Sequence, residues 1–194
     1  RDASNMGWLT FTFGLQRKFE SLFGNIEVVR MYQQQENLKF LSHFKQKFVI
    51  HEGRRKEVIS PAPVQLYHLR ANGSTLTMRC IQTKADAANL NSTYCFILKV
   101  PFDPEDKTGI VYVWIGGKSD PDDARIAEEV AQCLCSSDTH SLQVINEGHE
   151  PDNFFWVGLG GKKPYETDSE YMTYTRLFRC SNDRGYFSVS EKCA

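Results

Sequence analysis

No stretch of the 194 residues approaches the roughly 18 consecutive apolar side chains that a helix needs to span a bilayer, so the sequence offers no transmembrane helix. The first residues also lack the charged-then-apolar layout of a signal peptide, so Asn72-Gly73-Ser74 and Asn91-Ser92-Thr93 carry no weight as glycosylation acceptors. Basic charge is not in surplus: 23 Lys and Arg face 24 Asp and Glu. Nucleic acid binding needs cations to displace phosphate counterions, so specific nucleic acid binding is not expected. The six cysteines include no C-x-x-C pair, and His43, His51, His68, His140 and His149 fall at scattered spacings. Zinc is therefore not expected, and Cys80, Cys95, Cys133, Cys135, Cys180 and Cys193 read as buried free thiols of a cytosolic protein. No G-x-S-x-G or phosphate loop occurs, and Gly158-Leu159-Gly160-Gly161 follows a helical stretch where a nucleotide loop would precede one. The chain does not read as an enzyme.

What the chain does have is internal repetition. Residues 3 to about 48 recur from Ser119 to about Pro164, shifted by 116 positions so that Val28 falls on Val144. A weaker echo carries Leu66-Tyr67-His68-Leu69 onto Leu177-Phe178-Arg179-Cys180. Shifts of this size exceed solenoid periods, so each unit is a small domain. The echoes are out of phase, and the chain is expected to be a piece of a longer array.

The second unit reads in order. Gln65 to Arg70 and Thr75 to Gln82 alternate and are joined by Ala71-Asn72-Gly73-Ser74, a hairpin signal. Tyr94 to Val100 and Ile110 to Ile115 are apolar at nearly every position, as central strands covered on both faces are. Asp120 can cap a helix that begins at Pro121, with Asp122 and Asp123 in its first turn. Ala124, Ala127 and Ala131, with Ile126, Val130 and Leu134, form its inward stripe. Leu142 to Ile145 returns as a strand. Pro151 opens a short aromatic helix that Gly160-Gly161 closes. Two doubly covered strands need a helix on each face. The fold class is α+β, with a mixed sheet of about five strands between a long and a short helix.

Val111-Tyr112-Val113-Trp114-Ile115-Gly116 before an acidic helix start, then Glu147-Gly148-His149-Glu150-Pro151, and Phe155-Trp156 ahead of Leu159-Gly160-Gly161-Lys162, resemble the landmarks of tandem gelsolin/villin-type repeats. Leu90-Asn91-Ser92 before a Phe-Ile-Leu-Lys strand adds to them, and the resemblance covers essentially the whole chain. It implies residues 1–56 as the C-terminal half of one repeat (the fourth), 57–64 as a linker, 65–166 as a complete fifth repeat, 167–176 as a second linker, and 177–194 as the first strands of a sixth. It further implies actin binding and filament regulation in the cytoplasm and cytoskeleton. The alternative is a scaffold or transcriptional-coactivator module for signalling partners, with nuclear residence and weakened actin and calcium binding.

Along the first helix, Ser4 to about Phe23, the residues Trp8, Phe11, Leu15, Phe19 and Leu22 form one stripe, expected as core. Leu9 and Phe13 fall off it, where the sister copy carries Arg125 and Glu129. Either another repeat or a thicker core covers them, or they form a protein-binding ridge. By resemblance this helix wedges into actin, and Phe13 aligns with an actin-facing position. Calcium in such repeats is held by an Asp at the start of the central strand, an acidic residue in the long helix's first turn, and backbone carbonyls. Here the strand position reads Thr93-Tyr94, the helix position holds Asp123, and the first copy has Gly7, so calcium binding at Thr93 and Asp123 is expected to be weak or lost. The basic cluster Lys45, Lys47, Arg54, Arg55 and Lys56 reads as a solvated face, with an acidic actin surface, phosphoinositide headgroups or a nuclear-import signal as alternatives.

Overall fold

The computed structural model describes residues 6–29, 31, 36–45, 47–53, 61–70, 78–135, 139–170, 177–181 and 188–193. The expected helix start at Ser4, the Asn72-Gly73 hairpin turn and the basic residues Arg54, Arg55 and Lys56 lie outside them, as do parts of both linkers. The chain divides into two compact units, residues 1–37 and 38–194.

The first unit is built on one helix, α1 (Met6–Phe23). Gly24, at φ +69, ends it in the left-handed conformation that glycine adopts without steric cost. The stripe expected as core is exposed here: Phe11 59%, Leu15 42%, Phe19 43% and Leu22 65%. Among the described residues of this unit, α1 has no second layer for that stripe to pack on. The side chain of Trp8 lies outside the described residues.

The second unit begins with a short helix, α2 (Leu38–Ser42), whose Phe40 joins Phe44 and Phe48 in a ring cluster with centroids 4.6 to 5.9 Å apart. Its sheet has six strands: β1 (Val49–Ile50), β2 (Gln65–Arg70), β3 (Arg79–Thr83), β4 (Cys95–Pro101), β5 (Gly109–Ile115) and β6 (His140–Asn146). The spatial order is β1-β3-β2-β4-β5-β6. The pairings β3–β2, β2–β4 and β4–β5 are antiparallel, whereas β1–β3 and β5–β6 are parallel. The sheet is thus mixed, with one strand more than the five or so expected. The addition, β1, precedes β2 in the chain and docks through its backbone, Val49 opposite Cys80 and Ile50 opposite Ile81.

Strands β4 and β5 are buried over six consecutive residues each, as their unbroken apolar runs predict. Alternation sends Phe96, Leu98, Tyr112 and Trp114 to one face, against Phe155, Trp156 and Leu159. Cys95, Ile97, Val111 and Val113 go to the other, against helix α3 (Pro121–Leu134) through Ile126, Ala127, Val130 and Ala131. Lys99, the one charge of β4, is answered by an ion pair with Asp106. The α3 cap forms as the sequence implies, with the Asp122 N–H donating to Asp120 Oδ1 at 2.8 Å. Helix α4 (Phe154–Gly158) closes at Gly160 and Gly161, both at positive φ. A separate two-stranded sheet pairs β7 (Leu177–Ser181) with β8 (Ser188–Cys193) antiparallel.

The expectation of buried thiols holds only in part. Cys80 and Cys95 are buried, and burial pushes their thiols up to about 12 and about 11. Cys133 and Cys180 are exposed and Cys135 is half-buried. Cys133 lies on the solvent side of α3, opposite the alanine stripe, where an unpaired thiol meets water. The side chain of Cys193 lies outside the described residues.

Candidate functional site

The ends of β4, β5 and β6 meet at a polar corner, which the resemblance makes the candidate metal position. Gly116 brings the β5 end against the β4 lead-in, donating to Tyr94 O at 3.2 Å while Lys118 N donates to Ser92 O at 2.8 Å. Glu147, just past β6, is the pin: its carboxylate accepts from the Ser92 hydroxyl at 2.6 Å, the Gly117 amide at 2.6 Å and the Tyr165 hydroxyl at 3.1 Å. Burial raises the Glu147 pKa, but these three donors and the nearby Lys118 charge outweigh it, so the net direction is down. Behind it, Trp114 Nε1 donates to Glu150 at 2.8 Å.

A carboxyl with a lowered pKa stabilises the fold above its unfolded value and loses that contribution as pH falls through its folded value. Glu147→Gln is therefore expected to cost about 0.5 to 1 kcal/mol at pH 7, screening by solvent included, and less at pH 3. Urea denaturation of both proteins at the two pH values measures it. An equal difference at both would show that the charge is irrelevant.

The donors at the calcium position do not make a cage. Asp123 is half-buried, and burial together with its neighbours Asp120 and Asp122 holds its carboxyl above the usual range. Asp120 is engaged as the helix cap. Thr93 donates its amide to Asn91 Oδ1 at 2.8 Å, and the Tyr94 ring packs edge-on against His68, centroids 4.7 Å apart. Among the described residues, no group of three or more His, Cys, Asp or Glu could hold a metal ion. Calcium takes six to eight oxygens, and the carboxylate of Asp123 and the hydroxyl of Thr93 are too few side-chain donors to fit it. Millimolar calcium is expected to shift the melting temperature by less than about 1 °C, since a ligand at a hundredfold excess over Kd would add about 2.7 kcal/mol. A shift of several degrees, abolished in Asp123→Ala, would overturn that.

The structure does not gather the other sequence candidates into this corner. Phe13 sits in α1 at 47% exposure, and the side chain of Leu9 is outside the described residues. Lys45 is exposed in a turn at φ 49, and Lys47 Nζ lies 4.0 Å from Glu129. The described part of the basic cluster is therefore two lysines, one of them partly neutralised. Glu147 belongs to a motif already singled out in the sequence, but its role as the pin of this corner was not read there.

The family model described as Gelsolin repeat matches residues 79–155. The protein flightless-1 homolog of Danio rerio is 64% identical over 195 residues, covering 100% of this chain and 15% of its own length. Gelsolin of Gallus gallus is 33% identical over 182 residues, covering 89% of this chain and 22% of its own. Among solved structures, the Thorarchaeota 2DGel3/rabbit actin complex matches 76% of this chain and 74% of that chain, at 15% identity and a TM-score of 0.39. The chain thus spans about 15% of the length of the flightless-1 homolog it matches. No described helix is long and apolar enough to cross a membrane. With identity running from end to end and the repeat's landmarks built into one two-faced sheet, the chain belongs to the gelsolin-repeat family.

Proposed function

We propose that the chain is part of an actin-binding regulator of the cytoplasmic cytoskeleton, in which α1 turns the positions of Leu9 and Phe13 towards actin. One observation carries this reading. The residues 116 positions on, Arg125 and Glu129, occupy the solvent face of α3 and bond to each other at 2.6 Å, while Ile126, Ala127, Val130 and Ala131 face the core. The same helical positions in α1 carry large apolar side chains in place of an ion pair. An apolar ridge on an outward face is a binding feature when it is contiguous. Capping, severing and bundling are activities of a whole array of repeats, so the role of this piece is filament contact. Cosedimentation with filamentous actin, with and without calcium, tests it: binding is expected, with little calcium dependence. A chain left wholly in the supernatant would reject the reading.

A further inference from the structure

Strand β6 closes the sheet on one side, and its outer edge meets no other strand among the described residues. The Glu147 amide donates inward to Ile115 O at 2.9 Å, so by alternation the backbone groups of Ser141, Gln143 and Ile145 also turn towards β5. Those of Leu142, Val144 and Asn146 turn outward. The Asn146 carbonyl accepts from the His149 amide at 3.0 Å, whereas no backbone bond engages Leu142 or Val144 on this side among the described residues. A bare edge is a template for another strand, and proteins ordinarily blunt it with a charge, a proline or a bulge. From His140 to Asn146, β6 carries no Lys, Arg, Asp, Glu or Pro, and its register with β5 runs unbroken over all 7 residues. The first copy of the repeat does carry charge here, with Glu27 and Arg30 at the positions of Gln143 and Asn146. Gln143 and Val144 are both exposed.

We propose that this edge binds a second copy of the chain, β6 against β6, antiparallel about a two-fold axis through Gln143. A row of bare amides and carbonyls is complementary to another extended backbone, and the sequence of β6 decides which one. The two-fold sets Leu142 opposite Val144 of the second copy, and Val144 opposite its Leu142. Both are outward-turned, so each pair exchanges two backbone bonds, and the amide and carbonyl that each residue leaves bare are answered. Leu142 packs on the α3 side of the core, and Val144, two residues on, shares that face, so the seam also joins apolar neighbours. Gln143 then meets Gln143 of the second copy in a non-hydrogen-bonded pair, where side chains approach most closely and two neutral amides can bond to each other. A Glu at this position, as in the first copy, would set two carboxylates against each other. The neutral strand is compatible with itself where its sister is not. No residue of α1 takes part, so the proposal does not rest on actin binding.

Sedimentation equilibrium of the chain from about 10 μM to about 1 mM is expected to show monomer passing into dimer with a Kd on the order of 100 μM, since a seam of two short strands is smaller than a standard interface. Gln143→Glu and Gln143→Lys are each expected to weaken the dimer about fivefold or more, and an equal mixture of the two to recover it, because opposite charges then meet across the axis. Position 143 is exposed, so the melting temperature of the dilute variants should match that of the parent. Amide exchange gives a second readout: raising the concentration is expected to slow Leu142 and Val144 and to leave Gln143 and Ile145, already bonded to β5, as they are. A chain still monomeric at about 1 mM overturns the proposal. So does a dimer that both variants leave intact, a mixture no tighter than its components, or association that leaves Leu142 and Val144 unprotected.

Discussion

Gly116→Ala is expected to destabilise the chain by about 3 kcal/mol or more, lowering the melting temperature by roughly 6 to 12 °C. A Cβ at this position would lie 2.3 Å from Ser92 O and 2.7 Å from Tyr94 O, both backbone atoms. Neither can rotate away as a side-chain tip could. Both oxygens also accept the hydrogen bonds that tie the β5 end to the β4 lead-in, so relieving the clash breaks the corner in which Glu147 is held. Gly148 provides the comparison, because it has φ +85 but nothing within 4 Å of an added Cβ. Gly148→Ala is expected to cost only the conformational strain, about 1 kcal/mol. Thermal melts of the two variants and the parent chain measure the contrast. Equal shifts would mean that the β4 lead-in moves aside and that the close approach is not what this glycine is for.

The central part of this fold is legible because its signals are local. The apolar runs of β4 and β5, the Asp120 cap and the alanine stripe of α3 each lie within a few residues, and each forms as read. The edge strand β1 is two residues held by backbone bonds, which leave no periodicity in the side chains. The α1 stripe was legible as amphipathic, but periodicity names a face without naming what covers it, and here it stays exposed. The corner was half legible. Its landmarks stand in the sequence, yet Glu147 meets Ser92 across 55 residues and Gly117 across 30, separations at which single-sequence patterns carry no pairing information.

Phe13→Asp is expected to weaken actin cosedimentation at least tenfold without lowering the melting temperature of the 38–194 unit. Burying one large apolar side chain at an interface contributes roughly 1.5 to 3 kcal/mol, and 1.4 kcal/mol is already a factor of ten in Kd. A carboxylate in its place adds a desolvation cost that is larger on the bound side, because position 13 is 47% exposed in the free chain. Glu129→Ala is the control, since it removes the 2.6 Å partner of Arg125 and the 4.0 Å neighbour of Lys47 from the equivalent face of α3. Exposed pairs of this kind contribute about 0.5 kcal/mol or less, so neither binding nor melting should change measurably. Actin affinity and unfolding, measured on the same preparations, separate the two readings of the ridge. If Phe13→Asp melts the protein and leaves cosedimentation intact, Phe13 is core, and a scaffold module that kept the repeat's fold while losing actin becomes the better account. If affinity falls tenfold at constant stability, the outward face of α1 has exchanged the ion pair of its sister helix for a contact with the filament.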